Sequence, residues 1–424
     1  MSGHWESPGF SRREAVKEDV VSLDCYLDNA ATTPVAPEVA RAMLEAMGVA
    51  SEHRLIGSFA NPSAAYRWGV QASRCVDAAR GVVATTLGGQ ADEVVFTSGG
   101  TEANNLAILG LASALRRRGR HLITTEVEHR SVLDACHALE EEGWEVTRLP
   151  VDDAGQVQAS QVQRALRPDT VLCTLAHVNN EVGTIQPIAE IAQALGTRGP
   201  ILHVDGVQAC GKMPTPYALW GVGLASLSAH KINGPKGVGA LWIRAGVRVR
   251  PLFHGGGQQG GLRPGTENVP GIVGFRRALE LATADATETT RRLREHKLRL
   301  WRRLREALPG LAANGPDPED PVRAAPHILN VCFERCLSGV VRAEVLLHRM
   351  EEHGLACSAG SACSARRPAP SHVLVALRLG QGCIGSSLRF SVGLQTATAE
   401  IDRAVDIIRT VVSEHAEVAA RWSR

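Results

Sequence analysis

Ser228-Ala229-His230-Lys231-Ile232-Asn233-Gly234-Pro235-Lys236-Gly237 lies between two apolar runs, residues 224–227 and 238–243. Lys231 follows a strand-like run and precedes a Gly-Pro turn, so the backbone fixes the direction of its amine. A lysine held this way is a candidate for a Schiff base with an aldehyde cofactor. An ordinary surface lysine at a turn has the same local pattern, so the surrounding chain has to decide.

Upstream, Leu202-His203-Val204-Asp205-Gly206-Val207-Gln208 places an acid at the end of another apolar run. An aspartate at one strand end and a lysine after the next suit pyridoxal phosphate, with the amine on the aldehyde and the carboxylate on the pyridinium nitrogen. Working outward, residues 93–97 read as a strand that runs into Ser98-Gly99-Gly100-Thr101-Glu102 and a helix over 103–115. Free N–H groups at such a turn, with a helix dipole behind them, form either a phosphate site or an ordinary strand-to-helix turn. The stretch lacks both the dinucleotide fingerprint and the Walker Gly-Lys-Ser/Thr, which argues against a nucleotide.

Further strands are predicted over 121–125, 145–150, 171–175 and 201–204, and helices over 66–87, from 131, and over 188–195. This alternation predicts an α/β fold with a mostly parallel sheet covered on both faces. Ligands of such sheets collect beyond the strand C-termini, where Gly100, Thr101, His129, Asn180, Asp205, Gln208 and Lys231 all fall. A flexible glycine-rich segment is expected at 254–261, then a linker helix from about 273 into the basic stretch 291–305. There Leu293, Leu300, Leu304 and Leu308 mark a buried stripe, and the arginines a solvated face. Residues 314–326 read as a loop.

The 424 residues carry a formal net charge of +2, so no global field recruits nucleic acid or a membrane surface. No apolar run approaches the ~18 residues of a spanning helix. The first twenty residues mix charges without an apolar core and are expected to be a mobile tail, not a signal peptide. Ten cysteines without a framework spacing suggest a reducing cytoplasm. Cys75, Cys136, Cys173 and Cys332 are expected as buried thiols acting as small hydrophobes. Cys332 and Cys336 have no matching Cys or His pair, so no metal site is expected.

Leu355-Ala356-Cys357-Ser358-Ala359-Gly360-Ser361-Ala362-Cys363-Ser364-Ala365 is rich in small residues and is followed by Arg366 and Arg367. A thiol on such a segment can stay accessible and gain thiolate character, or it can be a surface cysteine without a role. Ser386-Ser387-Leu388-Arg389-Phe390-Ser391 reads as a strand with one arginine among small and apolar neighbours. That arginine suits an amino-acid carboxylate or a structural ion pair.

Taken together, Asp28-Asn29-Ala30-Ala31-Thr32-Thr33-Pro34, Thr97-Ser98-Gly99-Gly100-Thr101-Glu102-Ala103-Asn104-Asn105, Glu128-His129, His177-Val178-Asn179-Asn180-Glu181, His203-Val204-Asp205, Ser228-Ala229-His230-Lys231, Arg263-Pro264-Gly265-Thr266, Gly360-Ser361-Ala362-Cys363 and Ser387-Leu388-Arg389-Phe390 resemble the cysteine desulfurases. These are pyridoxal-phosphate enzymes of the class V aminotransferase superfamily, and the resemblance spans roughly residues 24–415. It implies fold type I: a large domain with a mostly parallel seven-stranded sheet, and a smaller α+β C-terminal domain. The implied division is a tail over 1–22, a segment 23–38 packing with the small domain, a cofactor domain 39–286 and a small domain 287–424 carrying the cysteine loop at about 355–370.

The resemblance also implies roles. Lys231 holds pyridoxal 5'-phosphate, Asp205 pairs with its ring nitrogen, and His129 stacks on the ring and serves proton transfer. Asn180 and Gln208 contact the ring side. Gly100, Thr101, Ser228 and His230 hold the phosphate, with Thr266 contributed by the other subunit of a homodimer. Arg389 and Asn180 hold the carboxylate of L-cysteine, and Cys363 takes its sulfur as a persulfide, releasing alanine. The acceptor is left open among iron–sulfur scaffolds, thiolation proteins and other sulfuration systems. The Gly-Ser-Ala-Cys context resembles the group with the long mobile loop. Two departures stand out. Cys357, six residues before Cys363, reads as a resolving thiol or a small buried residue, and Ala64-Ala65-Tyr66 lacks a histidine many relatives carry. Selenocysteine lyase and a class V aminotransferase that ignores Cys363 are the competing activities.

Overall fold

The computed structural model describes residues 24–48, 50–51, 54–55, 58–337, 342–359 and 370–422. The expected tail over 1–22 and Cys363 lie outside the described residues. At the centre is a seven-stranded sheet in the order Val94–Thr97, Gly239–Ile243, Leu224–Ser228, Ile201–Asp205, Thr170–Ala176, His121–Thr125, Glu145–Leu149. Gly239–Ile243 runs antiparallel to both neighbours, and the other pairings are parallel.

Strand side chains alternate between the two faces, and both faces are buried. Phe96, Ile123, Cys173, Leu227 and Trp242 join one core with the helices Pro37–Met47, Arg67–Leu87, Ile188–Leu195 and Val269–Thr283. Val95, Leu122, Leu172, Leu224 and Leu241 join the other with the helix starting at Gly100 and with Arg130–Glu141. This two-sided burial explains why the strands other than the part-exposed edge strand Glu145–Leu149 read as mostly apolar runs.

A second core forms around the antiparallel sheet Ala312–Ala313, Ile328–Cys332, Ser387–Ser391, covered by the helices Ala286–Ala307, Ala343–Glu352 and Thr398–Trp422. Cys25 and Leu27 are buried in this core, and Cys25–Tyr26 pairs in parallel with Leu355–Ala356. Along Ser387–Ser391, Leu388 and Phe390 enter the core. Strand alternation therefore turns Arg389 to the opposite face, and its cross-strand partner Asn330 likewise.

Four local expectations need correction. The helix after the glycine pair begins at Gly100, not 103, and carries a π-helical segment at Leu106–Gly110. The linker is two helices: the first ends at Thr283, and Asp285 caps the second by accepting from the Glu288 N–H at 2.9 Å. The glycine-rich 254–261 stretch is held where Gln259, buried, accepts from the Phe96 N–H at 2.8 Å. Cys332 is buried but not among apolar atoms alone: its thiol meets Ser386 Oγ at 3.8 Å.

Candidate active site

The strand C-termini of the large sheet converge on a cavity of about 290 Å³. Gly100, Thr101, His129, Asn180, Asp205, Gln208, Ser228, His230, Lys231 and Arg389 all line it. Thr266 does not, and is exposed. Lys231 lies in a single 3-10 turn, Ala229–Lys231, directly after the strand Leu224–Ser228. Its Nζ donates to the carbonyls of Ala30 at 2.7 Å and Ala31 at 2.6 Å. The segment supplying those carbonyls is laced to the lysine turn. Thr33 Oγ1 donates to the His230 carbonyl at 2.9 Å and accepts from the Asn233 N–H at 2.7 Å, and Asn233 Nδ2 donates to the Pro34 carbonyl at 2.8 Å.

Asp205 ends its strand with both carboxylate oxygens engaged. Oδ1 accepts from the Val207 N–H at 3.0 Å, and Oδ2 accepts from Asn104 Nδ2 at 2.7 Å. Asn104 also donates to Ser131 Oγ at 2.9 Å. Ser131 in turn fixes His129, whose Nδ1 accepts from the Ser131 N–H at 3.1 Å, leaving the ring proton of the neutral form on Nε2. Burial holds His129 below the usual histidine range, and the Lys231 and His372 charges push the same way against the pull of Asp205. His230 is driven down to about 4 by burial and then by Lys231, so this imidazole is neutral at neutral pH.

At the opposite end, Gly100 sits where a Cβ would meet Val207 Cγ2 at 2.8 Å, so only glycine leaves this approach open. Ser228 Oγ is buried without a hydrogen-bond partner. Those two features, with the N–H groups of the helix starting at Gly100, fit a phosphate group. An acid at the other end and an amine between them complete a donor set that fits pyridoxal phosphate.

The remaining wall comes from the second core. Arg389, 2 % exposed, donates from Nη1 to the Asn180 carbonyl at 2.8 Å and from Nη2 to Asp28 Oδ1 at 2.7 Å. Its Nε is buried without a partner. Asn179 Oδ1 accepts from the N–H groups of Glu181 at 2.9 Å and Val182 at 3.0 Å, a turn that sets Asn180 and Glu181 on the cavity rim. Ser358 exchanges backbone hydrogen bonds with Arg389 at 3.1 and 2.7 Å. Ser371 Oγ donates to Glu181 Oε2 at 2.5 Å, and His372 Nε2 pairs with the Glu128 carbonyl at 2.9 Å. Both flanks of the 360–369 segment are thus anchored beside the cavity.

Sequence reasoning missed Asn104, Asp28 and His372. Asn104 falls one turn after Gly100 on the same helix, a spacing that could have flagged it. Asp28 and His372 carry no local signal, because their partners are distant in the chain. Cys357 is half-buried against the second core, where it donates to Met350 Sδ at 3.8 Å and burial pushes its thiol up.

Comparison with known proteins agrees with this geometry. The aminotransferase class-V family model matches residues 25–404. A cysteine desulfurase IscS from Methanosarcina thermophila is 42 % identical over 392 residues, covering 92 % of either chain. Among solved structures, a NifS-like protein superposes with a TM-score of 0.82 at 33 % identity, covering 92 % of this chain and 99 % of the other. SspA in complex with cysteine gives 0.72 at 36 % identity over 88 % of this chain and all of that one. The chain belongs to the class-V aminotransferase family and, within it, to the pyridoxal-phosphate-dependent cysteine desulfurases.

Proposed function

We propose that this protein removes sulfur from L-cysteine, releasing L-alanine, and passes the sulfur through a persulfide on Cys363 to an acceptor protein. The observation that carries this reading is the joint placement of Lys231, Asp205 and Arg389 on one cavity. When bound, pyridoxal phosphate supplies an electrophilic aldehyde carbon and a ring that withdraws electrons from substrate bonds. The chain's own residues do the rest. Lys231 would hold the cofactor through its amine and would move the proton at the substrate Cα. Asp205, oriented by Asn104 and the Val207 N–H, would face the ring nitrogen. His129 covers the ring and handles a proton at Nε2. Ser228, His230, Gly100 and Thr101 hold the phosphate, and Gln208 and Asn180 fix the ring edge.

Arg389 receives the substrate carboxylate with Asn180. Guanidinium has five N–H donors, and the two bonds to Asp28 and Asn180 orient it without exhausting them. Ser358, Ser371 and His372, on either side of Cys363 in the sequence, are anchored beside the cavity, which supports Cys363 as the thiol that takes the sulfur. SspA, a relative over its whole length, has been solved with cysteine, which supports that substrate here.

The working unit is a homodimer. Leu44, Met47, Phe59, Tyr66, Trp68 and Val70 are all at least 40 % exposed on neighbouring segments of the large core, an apolar surface suited to a second copy. Thr266, exposed and off the cavity, is available to complete the partner's phosphate site. The acceptor is an iron–sulfur scaffold or a thiolation protein, the site of action is the cytoplasm, and the two cores are the cofactor domain 39–286 and the small domain 287–424. Product analysis of the holoenzyme with L-cysteine tests the reaction. Alanine is expected. A keto acid instead would make it an aminotransferase, and turnover of selenocysteine with rejection of cysteine would make it a selenocysteine lyase.

A further inference from the structure

Outside the cavity, the second core carries a pair of thiols that the reaction does not use. Cys332 is the last residue of the strand Ile328–Cys332, and Cys383 lies in the helix Gln381–Gly385, one turn before the strand that bears Arg389. Cys332 is the cross-strand partner of Ser387, whose hydroxyl lies 3.9 Å from the Cys383 sulfur, so the two thiols share one nest and act on each other electrostatically. Both sit in a polar nest: Cys332 Sγ meets Ser386 Oγ at 3.8 Å, while Cys383 Sγ meets Ser387 Oγ at 3.9 Å and donates to Asn314 Oδ1 at 3.2 Å. Cys332 is buried and Cys383 half-buried, so a small reagent can reach the pair from the Cys383 side. The shared proton stays with Cys383, which draws Cys332 down to about 7, whereas burial pushes Cys25, Cys136, Cys210 and Cys357 the other way.

The pair is wired to the cavity. Asn314 Nδ2 donates to Asn330 Oδ1 and to Ser387 Oγ, each at 2.8 Å. Asn330 Nδ2 donates to the Glu181 carbonyl at 3.1 Å, and Asn330 is the cross-strand partner of Arg389. The Cys383 thiol is therefore the far end of a hydrogen-bonded line that stops at the Glu181 carbonyl on the cavity rim and passes through Asn330, the cross-strand neighbour of Arg389.

We propose that Cys332 and Cys383 are an oxidisable thiol pair, that a small hydroperoxide closes them to a disulfide, and that closure weakens the grip of the site on an α-carboxylate. The last part rests on the reading of Arg389 given above. The Cys332 sulfur attacks the peroxide O–O bond and becomes a sulfenic acid, releasing hydroxide. Cys383 then attacks that sulfur, the S–S bond forms and water leaves. Two thiols and one hydrogen peroxide yield one disulfide and two waters, and a small thiol reductant reverses the change. Closure takes the S–H donor from Asn314 and draws the helix Gln381–Gly385 toward the end of the neighbouring strand. The line through Asn330, beside Arg389, to the Glu181 carbonyl then loses its anchor.

The test uses full-length holoenzyme carrying Cys363→Ser, so that peroxide cannot act on the loop thiol, and L-alanine, which cannot reduce a disulfide. After treatment with hydrogen peroxide, alkylation and digestion, mass spectrometry should find Cys332 and Cys383 in one cross-linked peptide. Alanine affinity, read from the cofactor absorbance, should fall about two- to tenfold, the effect of losing one buried hydrogen bond. Reductant should restore it, and Cys332→Ser in the same background should bind alanine normally and ignore peroxide. Finding both thiols alkylated after treatment overturns the proposal, and so does a disulfide that leaves alanine affinity unchanged. An Arg389→Ala variant separates the two readings. If it binds alanine as tightly as the parent, the carboxylate role of Arg389 fails and the coupling with it, while the disulfide stands or falls on the mass measurement.

Discussion

The two walls of the cavity are built by different routes. Asp205, Ser228 and Lys231 come from the ends of two adjacent strands of one sheet, so the sheet itself brings them together. Arg389 and Asp28 stand 361 residues apart and meet only because a strand of the second core faces the N-terminal segment. The first wall follows from local sequence and sheet topology, whereas the second exists only once two cores have packed. That division separates holding the cofactor from holding the substrate, and substitutions on the two walls should show different kinetic signatures.

The largest effect is expected on the first wall. Lys231→Ala should abolish the absorbance of lysine-bound cofactor and cut alanine release by about 10³-fold or more, since it removes both the covalent anchor and the proton carrier. Retained turnover would remove Lys231 from the chemistry. Asp205→Asn should lower kcat by about 10²–10³-fold, as expected when one preorganised charge is lost, with little change in KM. Arg389→Lys should behave in the opposite sense, raising KM for L-cysteine about ten- to hundredfold with a smaller change in kcat, because an ammonium cannot reproduce the forked contacts to Asp28 and Asn180. If both variants changed the same parameter, the two walls would not divide the work as described.

The smallest effect concerns stability. Glu128, fully buried between the walls, accepts from Thr125 Oγ1 at 2.6 Å and from the Ala176 N–H at 2.7 Å, and burial raises its carboxyl from about 4.5 to about 8. Between those values the unfolded chain has lost the proton and the folded protein keeps it, so stability falls as pH rises through the window. Glu128→Gln mimics the protonated form. It should flatten the dependence of thermal stability on pH between 5 and 8 by up to about 1.4 kcal/mol per pH unit. An unchanged slope would mean that Glu128 is ionised in the folded protein.

The contrast between the walls also explains what the sequence made readable. Except for the part-exposed edge strand Glu145–Leu149, the strands announced themselves as mostly apolar runs because both sheet faces are buried, and the catalytic positions followed from where those runs stop. Gly100 and Lys231 were visible through the glycines and the Gly-Pro turn beside them. Asp28 was hidden because its meaning depends on Arg389, and His372 because the Glu128 carbonyl it meets lies far away in the chain. Cys332 looked like a small core residue because Cys383, which shares its nest, follows 51 positions later. The start of the helix at Gly100 was misjudged because glycine is a weak helix former, and here tertiary packing against Val207 and Ser228 overrides propensity.

The most direct test of the account is where the sulfur goes. Holoenzyme incubated with L-cysteine in the absence of reductant, then analysed by peptide mass spectrometry, should carry one extra sulfur atom on the peptide containing Cys363, together with an equal amount of alanine. Cys363→Ser, with cofactor bound normally, should yield neither. Extra sulfur on another cysteine, or undiminished alanine release from Cys363→Ser, would contradict the proposed mechanism.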